Sequence, residues 1–219
     1  MGIFSRKPRL QGPEAVHAHL QTMREQVEVN EREGRGLLNM PRYGEAVAAL
    51  RTMGQTAVPT LVEVLPREVD MAVEKAPNIA SEIVEILGKS GDPTVVDLLV
   101  SVMDGTRFPE YPGATWGAMA LGHMGTHEAQ AALAAALSDS ELREYAAKGC
   151  MFLAEPRPEV VDQLLEAATD EAYWKANAAI HTLAKLRVAR ARPVLDELAA
   201  NAHNDRVRSA AERALVEVR

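Results

Sequence analysis

Two histidines four residues apart, His123 and His127, are the side chains whose type and spacing come nearest to a metal site, and Glu128 follows them directly. On one continuous helix this spacing would aim both imidazoles at one metal ion. Gly125 lies between them, however, where the sequence predicts a turn between two helices. We therefore interpret them as surface histidines at a helix junction, and we predict no bound metal ion and no other cofactor.

The single cysteine, Cys150, is the other candidate for chemistry, because a thiolate is a nucleophile. It lies between Gly149 and Met151 in an apolar helical stretch, and no base is evident near it in the sequence. Buried packing is the usual role of such a thiol, so we predict no catalytic residue. A lone cysteine also excludes an internal disulfide, which favours a reducing compartment and a cytoplasmic location.

The two tryptophans, Trp116 and Trp174, are predicted to lie on the first helices of two different helix pairs. Space-filling in an alanine-rich stack is the simpler role for both of them. Helical spacing places Trp174 on one outer face with His181 and Lys185. Of the two tryptophans, Trp174 is therefore the better candidate for a functional surface.

A repeated pattern positions these residues: a helix that ends in glycine, a short turn and a second amphipathic helix. When Gly54, Gly91, Gly125, Pro156 and Arg187 are taken as equivalent, the steps between them are 37, 34, 31 and 31 residues. A period of this size is typical of solenoids built from stacked helix pairs. No run of residues has the alternating pattern of a strand.

The sequence therefore predicts an all-α fold, an α-solenoid (superhelix) of about five stacked helix pairs. A lead-in helix begins near residue 13, and a capping helix closes the C-terminal end. We expect residues 1–12 to be a flexible basic tail and residues 13–219 to form a single domain. The repeats are predicted near 42–70, 77–104, 114–138, 141–169 and 172–201, with a partial repeat at 205–219.

Composition limits the classes of partner. The 219 residues are 47% hydrophobic but only 4% aromatic, and the formal net charge is -7. An acidic chain disfavours binding to a phosphate backbone, which needs clustered Lys and Arg, and is compatible with a basic protein or peptide partner. Because of this charge, we expect no nucleic-acid partner. No apolar run is long enough to span a bilayer, so we also expect no stable membrane insertion.

The turns at 53–59 and 87–96 resemble the inter-helix turn of HEAT-like repeats of the short bacterial and archaeal type, similar to PBS-lyase HEAT-like repeats. In the second turn, Asp92 can cap the following helix, and Pro93 loses no hydrogen bond at its first position. Residues 205–215 resemble the first helix of the same repeat. The likeness covers roughly residues 42–219 and implies, as for most members, a protein-binding scaffold with no catalytic residue.

The resemblance also implies that the second, or B, helix of each pair lines a concave surface. Because outward positions of the B helices are acidic, we predict a non-catalytic scaffold that binds a partner through an acidic concave groove. The aromatic residues of the loop 104–113 are expected to add an apolar rim. The predicted partner-binding residues are Glu63, Asp97, Asp162, Glu166, Asp196, Glu197, Phe108 and Tyr111.

Two other functions remain open from the resemblance. One is a bilin-lyase-like or pigment-handling protein, although a bilin site needs paired cations that the predicted groove lacks. The other is a HEAT-like DNA glycosylase, which the acidic charge disfavours. HEAT-like deoxyhypusine hydroxylases hold iron with several His-Glu pairs, and this chain has a single such pair at His127 and Glu128.

Overall fold

The computed structural model describes residues 11–33, 40–74 and 79–218. In these ranges the chain forms α-helices and short 3-10 helices without any β-strand, which confirms the predicted all-α class. The chain divides into two compact units, Met1–Ile83 and Val84–Arg219. The prediction of one domain over 13–219 stays a prediction, and most of the predicted basic tail lies outside the described residues.

The first unit is built around three helices: α1 (Gly12–Glu33), α2 (Pro41–Met53) and α3 (Val58–Glu74). The helix predicted to begin near residue 13 is α1, and it buries Val16, Leu20 and Met23 completely. An ion pair between Arg24 of α1 and the buried carboxylate of Glu68 joins α1 to α3. Burial, together with the negative charge of Glu82, raises the pKa of Tyr43 above its ordinary value.

The second unit continues the helix pairs, and the boundary between the two units falls inside α4 (Ile79–Ser90). The B helices of this unit are α5 (Val96–Met103), α7 (His127–Ser138), α9 (Pro158–Ala167) and α11 (Arg192–Asn201). Its first, or A, helices are α6 (Ala114–Met124), α8 (Arg143–Cys150), α10 (Tyr173–Lys185) and α12 (Asp205–Glu217). Along the chain, α6 packs against α8, α8 against α10 and α10 against α12.

Glycine and alanine allow the A helices to approach closely. A Cβ atom added to Gly122 of α6 would overlap the carbonyl oxygen of Gly149 on α8, and one added to Gly149 would overlap that of Ala118. Ala118 is itself fully buried. Farther along the layer, the buried Thr182 hydroxyl of α10 donates to the Ala147 carbonyl of α8 over 2.8 Å. The low aromatic content of the chain is consistent with this packing, because neighbouring A helices approach closely only where their side chains are small.

Four of the five turns within the pairs use a left-handed residue. Gly54, Gly91 and Gly125 have φ of 53°, 67° and 62°, and Arg187 at the equivalent position has φ of 52°. Glycine adopts positive φ readily because it has no Cβ atom. The equivalence read from the sequence thus has a geometric basis at these four positions but not at Pro156, and Arg187 keeps the turn at some cost in backbone strain.

Polar side chains determine where several B helices begin. Asp92 accepts a hydrogen bond from the Thr94 N–H over 2.9 Å, as predicted, although a 3-10 turn (Pro93–Val95) precedes α5. Thr126 caps α7 by accepting from the Ala129 N–H over 3.3 Å. Helix α8 of the fourth repeat ends at Cys150, before the buried Leu153. Among the described residues, every helix is too short or too polar to cross a bilayer.

Candidate partner-binding surface

The six predicted acidic residues are all exposed on B helices. In the second unit, Asp97 lies on α5. Asp162 and Glu166 lie one turn apart on α9, and Asp196 and Glu197 are neighbours on α11. Glu63 is exposed on α3 of the first unit.

The B helices of the second unit carry a strong excess of negative charge. Helices α5, α7, α9 and α11 contain seven Asp and Glu residues and one cation, Arg192. Three of the acids, Asp97, Glu128 and Glu159, recur at intervals of 31 residues in the first turns of their helices. Acids in a first turn stabilise the helix by facing its unpaired N–H groups. Hydrogen bonds from their own backbone N–H groups lower the pKa values of Glu128 and Glu159 below the ordinary range.

Some of these acids are neutralised by neighbours. Asp162 pairs with Arg190 over 2.7 Å, and Asp196 lies 3.9 Å from Arg192. No described residue forms an ion pair with Asp97 or Glu166. Glu63 and Glu197 also form no ion pair with a described residue, although Glu197 accepts a hydrogen bond from the Asn201 amide over 2.9 Å. Glu63, Asp97 and Glu166 are therefore the members of the predicted set best placed to attract a cation from a partner.

The apolar rim predicted at Phe108 and Tyr111 is not exposed. Phe108 is 8% and Tyr111 4% exposed, so neither ring is presented to a partner. The Tyr111 ring packs against Gly113, and a Cβ atom added there would lie 2.6 Å from the ring and 2.9 Å from Val102. Burial of apolar ring area explains this outcome, because the short loop folds inward over the end of α5. The prediction that Phe108 and Tyr111 form an exposed apolar rim is therefore wrong.

The two histidines and the cysteine that were considered for chemistry do not form a common site in the described ranges. His127 begins α7 and is exposed, while the His123 ring lies 4.4 Å from the Phe152 ring, with the left-handed Gly125 between the two histidines. In the described ranges, no three His, Cys, Asp or Glu side chains are grouped as a metal site would require. Cys150 is completely buried, as predicted, and burial raises its pKa to about 12. The thiol therefore stays protonated at neutral pH.

Gln130 is a buried polar side chain that the sequence analysis missed. Its amide nitrogen donates to the carbonyls of Gly125 and Glu155 over 3.0 and 3.2 Å, and its amide oxygen accepts from the Arg157 N–H over 2.8 Å. This one side chain thereby joins the turns of two successive repeats. The sequence signal that could have revealed this role is a polar glutamine at a buried position of the apolar stripe of α7.

Arg143 of α8 connects the end of α7 to the turn that follows α9. Its guanidinium donates to the Leu137 carbonyl over 2.8 Å and to the Asp170 carboxylate over 2.5 Å. Partial burial disfavours the ionised form of Asp170, but hydrogen bonds from Ala172 and Arg143 outweigh it and hold the pKa below its ordinary value. Asp170 is therefore a carboxylate at neutral pH, committed to the fold rather than to a partner.

Comparison with known proteins agrees with this geometry. Residues 138–216 match the family described as HEAT repeats, and residues 115–139 match the family described as PBS lyase HEAT-like repeat. No protein with a curated description matches the chain by sequence.

A solved structure of human deoxyhypusine hydroxylase in complex with glycerol is similar over 94% of this chain and 96% of that chain. The two are 16% identical with a TM-score of 0.41, values that support no argument about activity. The two family matches and the stacked helix pairs lead to one conclusion: residues 115–216 of this chain form HEAT-like repeats.

Proposed function

We propose that this protein is a non-catalytic scaffold that binds a basic segment of a partner protein on the acidic face of its B helices. The carrying observation is the charge of α5, α7, α9 and α11, which contain seven acids and a single arginine, Arg192. Two of these acids, Glu159 and Asp162, pair with arginines that precede α9 and α11. We expect this face to be the concave one. Glu63 provides a corresponding carboxylate on α3 of the first unit.

The acids contribute more to selection than to tight binding. Exposed charges steer the approach of an oppositely charged partner and repel acidic ones, and salt screens both effects. Glu63, Asp97 and Glu166 contribute most to this attraction because no described cation neutralises them. Asp162 must exchange its Arg190 partner before it binds a new cation, so its contribution is smaller.

A charge-reversal experiment tests the proposal. The variant Asp97→Lys, Asp162→Lys, Glu166→Lys is compared with the parent for binding of a short labelled peptide in which lysine alternates with leucine. We expect the variant to bind about tenfold more weakly or worse at low salt, with a smaller difference at physiological salt. All three positions are exposed, so the fold is expected to be kept, with a modest lowering of the thermal unfolding midpoint because Asp97→Lys places a cation in the first turn of α5.

A matched control separates this face from the net charge of the molecule. The variant Glu171→Lys, Glu212→Lys, Glu217→Lys makes the same charge change at exposed acids outside the B helices. The proposal expects it to bind the lysine peptide nearly as well as the parent. Equal weakening by both triple variants, or unchanged binding of the B-face variant at low salt, would contradict it.

A further inference from the structure

The outer side of α10 and α12 presents an exposed tryptophan beside cations. Trp174 is 58% exposed, which is unusual for so large an aromatic side chain. With Tyr173, His203, Asp205 and Arg206 it lines a groove of about 470 Å³, and the Asp205 carboxylate is paired with Arg208. The Arg206 guanidinium lies 5.6 Å from the centre of the Tyr173 ring, so a cation and two aromatic residues meet in one groove.

A second groove lies between the same two helices. It measures about 340 Å³ and is lined by His181 of α10 and by Arg213 and Glu217 of α12. Lys185, one turn beyond His181, is exposed, and its Nζ atom lies 5.2 Å from the centre of the Phe152 ring. Cations and aromatic rings therefore follow one another along the outer side of α10.

The charge of this layer is opposite to that of the B helices. Helix α10 contains two lysines and no Asp or Glu, and the A helices α6, α8, α10 and α12 together contain seven Lys and Arg against four Asp and Glu. Two of these four acids already have partners, since Arg208 donates to Asp205 and Lys148 lies 2.6 Å from Glu144. A local positive surface thus exists on a chain whose net charge is -7.

We propose that this α10–α12 surface, defined by Trp174, His181, Lys185, Arg206 and Arg213, binds an acidic peptide segment of a partner protein. An apolar side chain of the peptide packs on Trp174, and its carboxylates pair with Arg206, Arg213 and Lys185. Tryptophan, tyrosine and arginine are the residues that most often dominate binding energy at protein interfaces. The surface lies on the A helices, so this site is independent of the proposed B-face function.

A short acidic peptide fits the charge better than a nucleic acid does. A nucleic-acid strand carries one phosphate per nucleotide and needs a long track of cations. Here the cations are confined to one junction of two helices, and the net charge of the whole chain repels a long polyanion. A few carboxylates, in contrast, are matched by the three cations of the α10–α12 surface.

The test measures binding of a short labelled peptide in which glutamate alternates with leucine, with a glutamine-for-glutamate peptide as reference. Trp174→Ala and Arg213→Glu are each expected to weaken binding of the acidic peptide about tenfold or more. Arg67→Glu, the same charge change on α3 of the first unit, is expected to leave binding close to that of the parent. Circular dichroism confirms that each variant is folded.

A fluorescence measurement reports on the tryptophan itself. Because the chain has two tryptophans, Trp116→Phe leaves Trp174 as the only one, and its emission is expected to shift to shorter wavelength when the peptide covers it. Equal binding by Trp174→Ala and the parent would overturn the proposal. Tighter binding of short oligothymidylate than of the peptide, lost in the same two variants, would also overturn it, in favour of a nucleic-acid site.

Discussion

The A and B helices of the second unit differ in the kind of contact that joins neighbouring helices. Neighbouring A helices meet through backbone atoms, at Gly122, Gly149 and Ala118, and a buried hydrogen bond from Thr182 joins two of them. On the exposed side of the B helices, Ser138 of α7 joins Gln163 of α9, and Asp162 of α9 joins Arg190 in the 3-10 turn before α11. The A contacts have no spare volume, whereas the B contacts are open to solvent.

The difference indicates where the sequence is free to vary. Close backbone contact stabilises the stack through dispersion and apolar burial, and it tolerates no added volume. Exposed polar contacts contribute little, because solvent competes for each group. Specific stacking therefore depends on the inner contacts of the A helices, and the B helices can carry a charge pattern chosen for a partner.

The largest expected effect comes from added volume in the A layer. Gly149→Val forces the backbones of α6 and α8 apart and is expected to lower the free energy of unfolding by about 3 kcal/mol or more. The matched change Ala135→Val adds similar bulk at an exposed position of α7 and is expected to cost only about 0.5 kcal/mol. Urea denaturation measures both, and similar losses would remove the contrast between the layers.

A smaller effect tests whether burial, rather than helix layer, decides the worth of a polar contact. Gln130→Leu removes three hydrogen bonds on a B helix and leaves the Arg157 N–H without this acceptor, so we expect a loss of about 2 kcal/mol. Gln163→Leu removes only an exposed contact with Ser138 and is expected to change stability by less than about 0.5 kcal/mol. Thermal unfolding of the two variants, compared at one pH, distinguishes them, and a Gln130 variant as stable as the parent would be contrary evidence.

The smallest expected effect concerns the turns that connect the two layers. Arg187→Gly relieves a left-handed non-glycine residue and is expected to stabilise the fold by about 0.5 kcal/mol, after the added chain entropy of glycine is deducted. Gly125→Ala makes the opposite change at the equivalent position and is expected to cost about 1 kcal/mol. Shifts of the same sign in the two variants would show that these turns are not equivalent.

The repeat pattern was readable from sequence because its signals are local. Gly54, Gly91 and Gly125 mark a backbone conformation that few other residues adopt, and the helices between them have one apolar stripe each. Pairing of polar groups close in sequence, such as Asp92 with Thr94, was predictable for the same reason. The exposure of the predicted acids followed from helical spacing alone. Space-filling was the simpler prediction for both tryptophans, and it is wrong for Trp174, which is 58% exposed.

The sequence by itself determined the all-α class, the positions of the helix pairs and the acidic character of the B helices, since periodicity and turn chemistry act over a few residues. Only the tertiary structure decided that Phe108 and Tyr111 fold inward, that Gln130 joins two repeats and that α6 and α8 meet at Gly122 and Gly149. The contacts of Gln130 and of α6 with α8 join segments about 25 to 30 residues apart along the chain, and the loop of Tyr111 packs on Val102 of the preceding helix. A local sequence pattern does not predict these contacts, because the free energy of burial depends on both of the surfaces that come together.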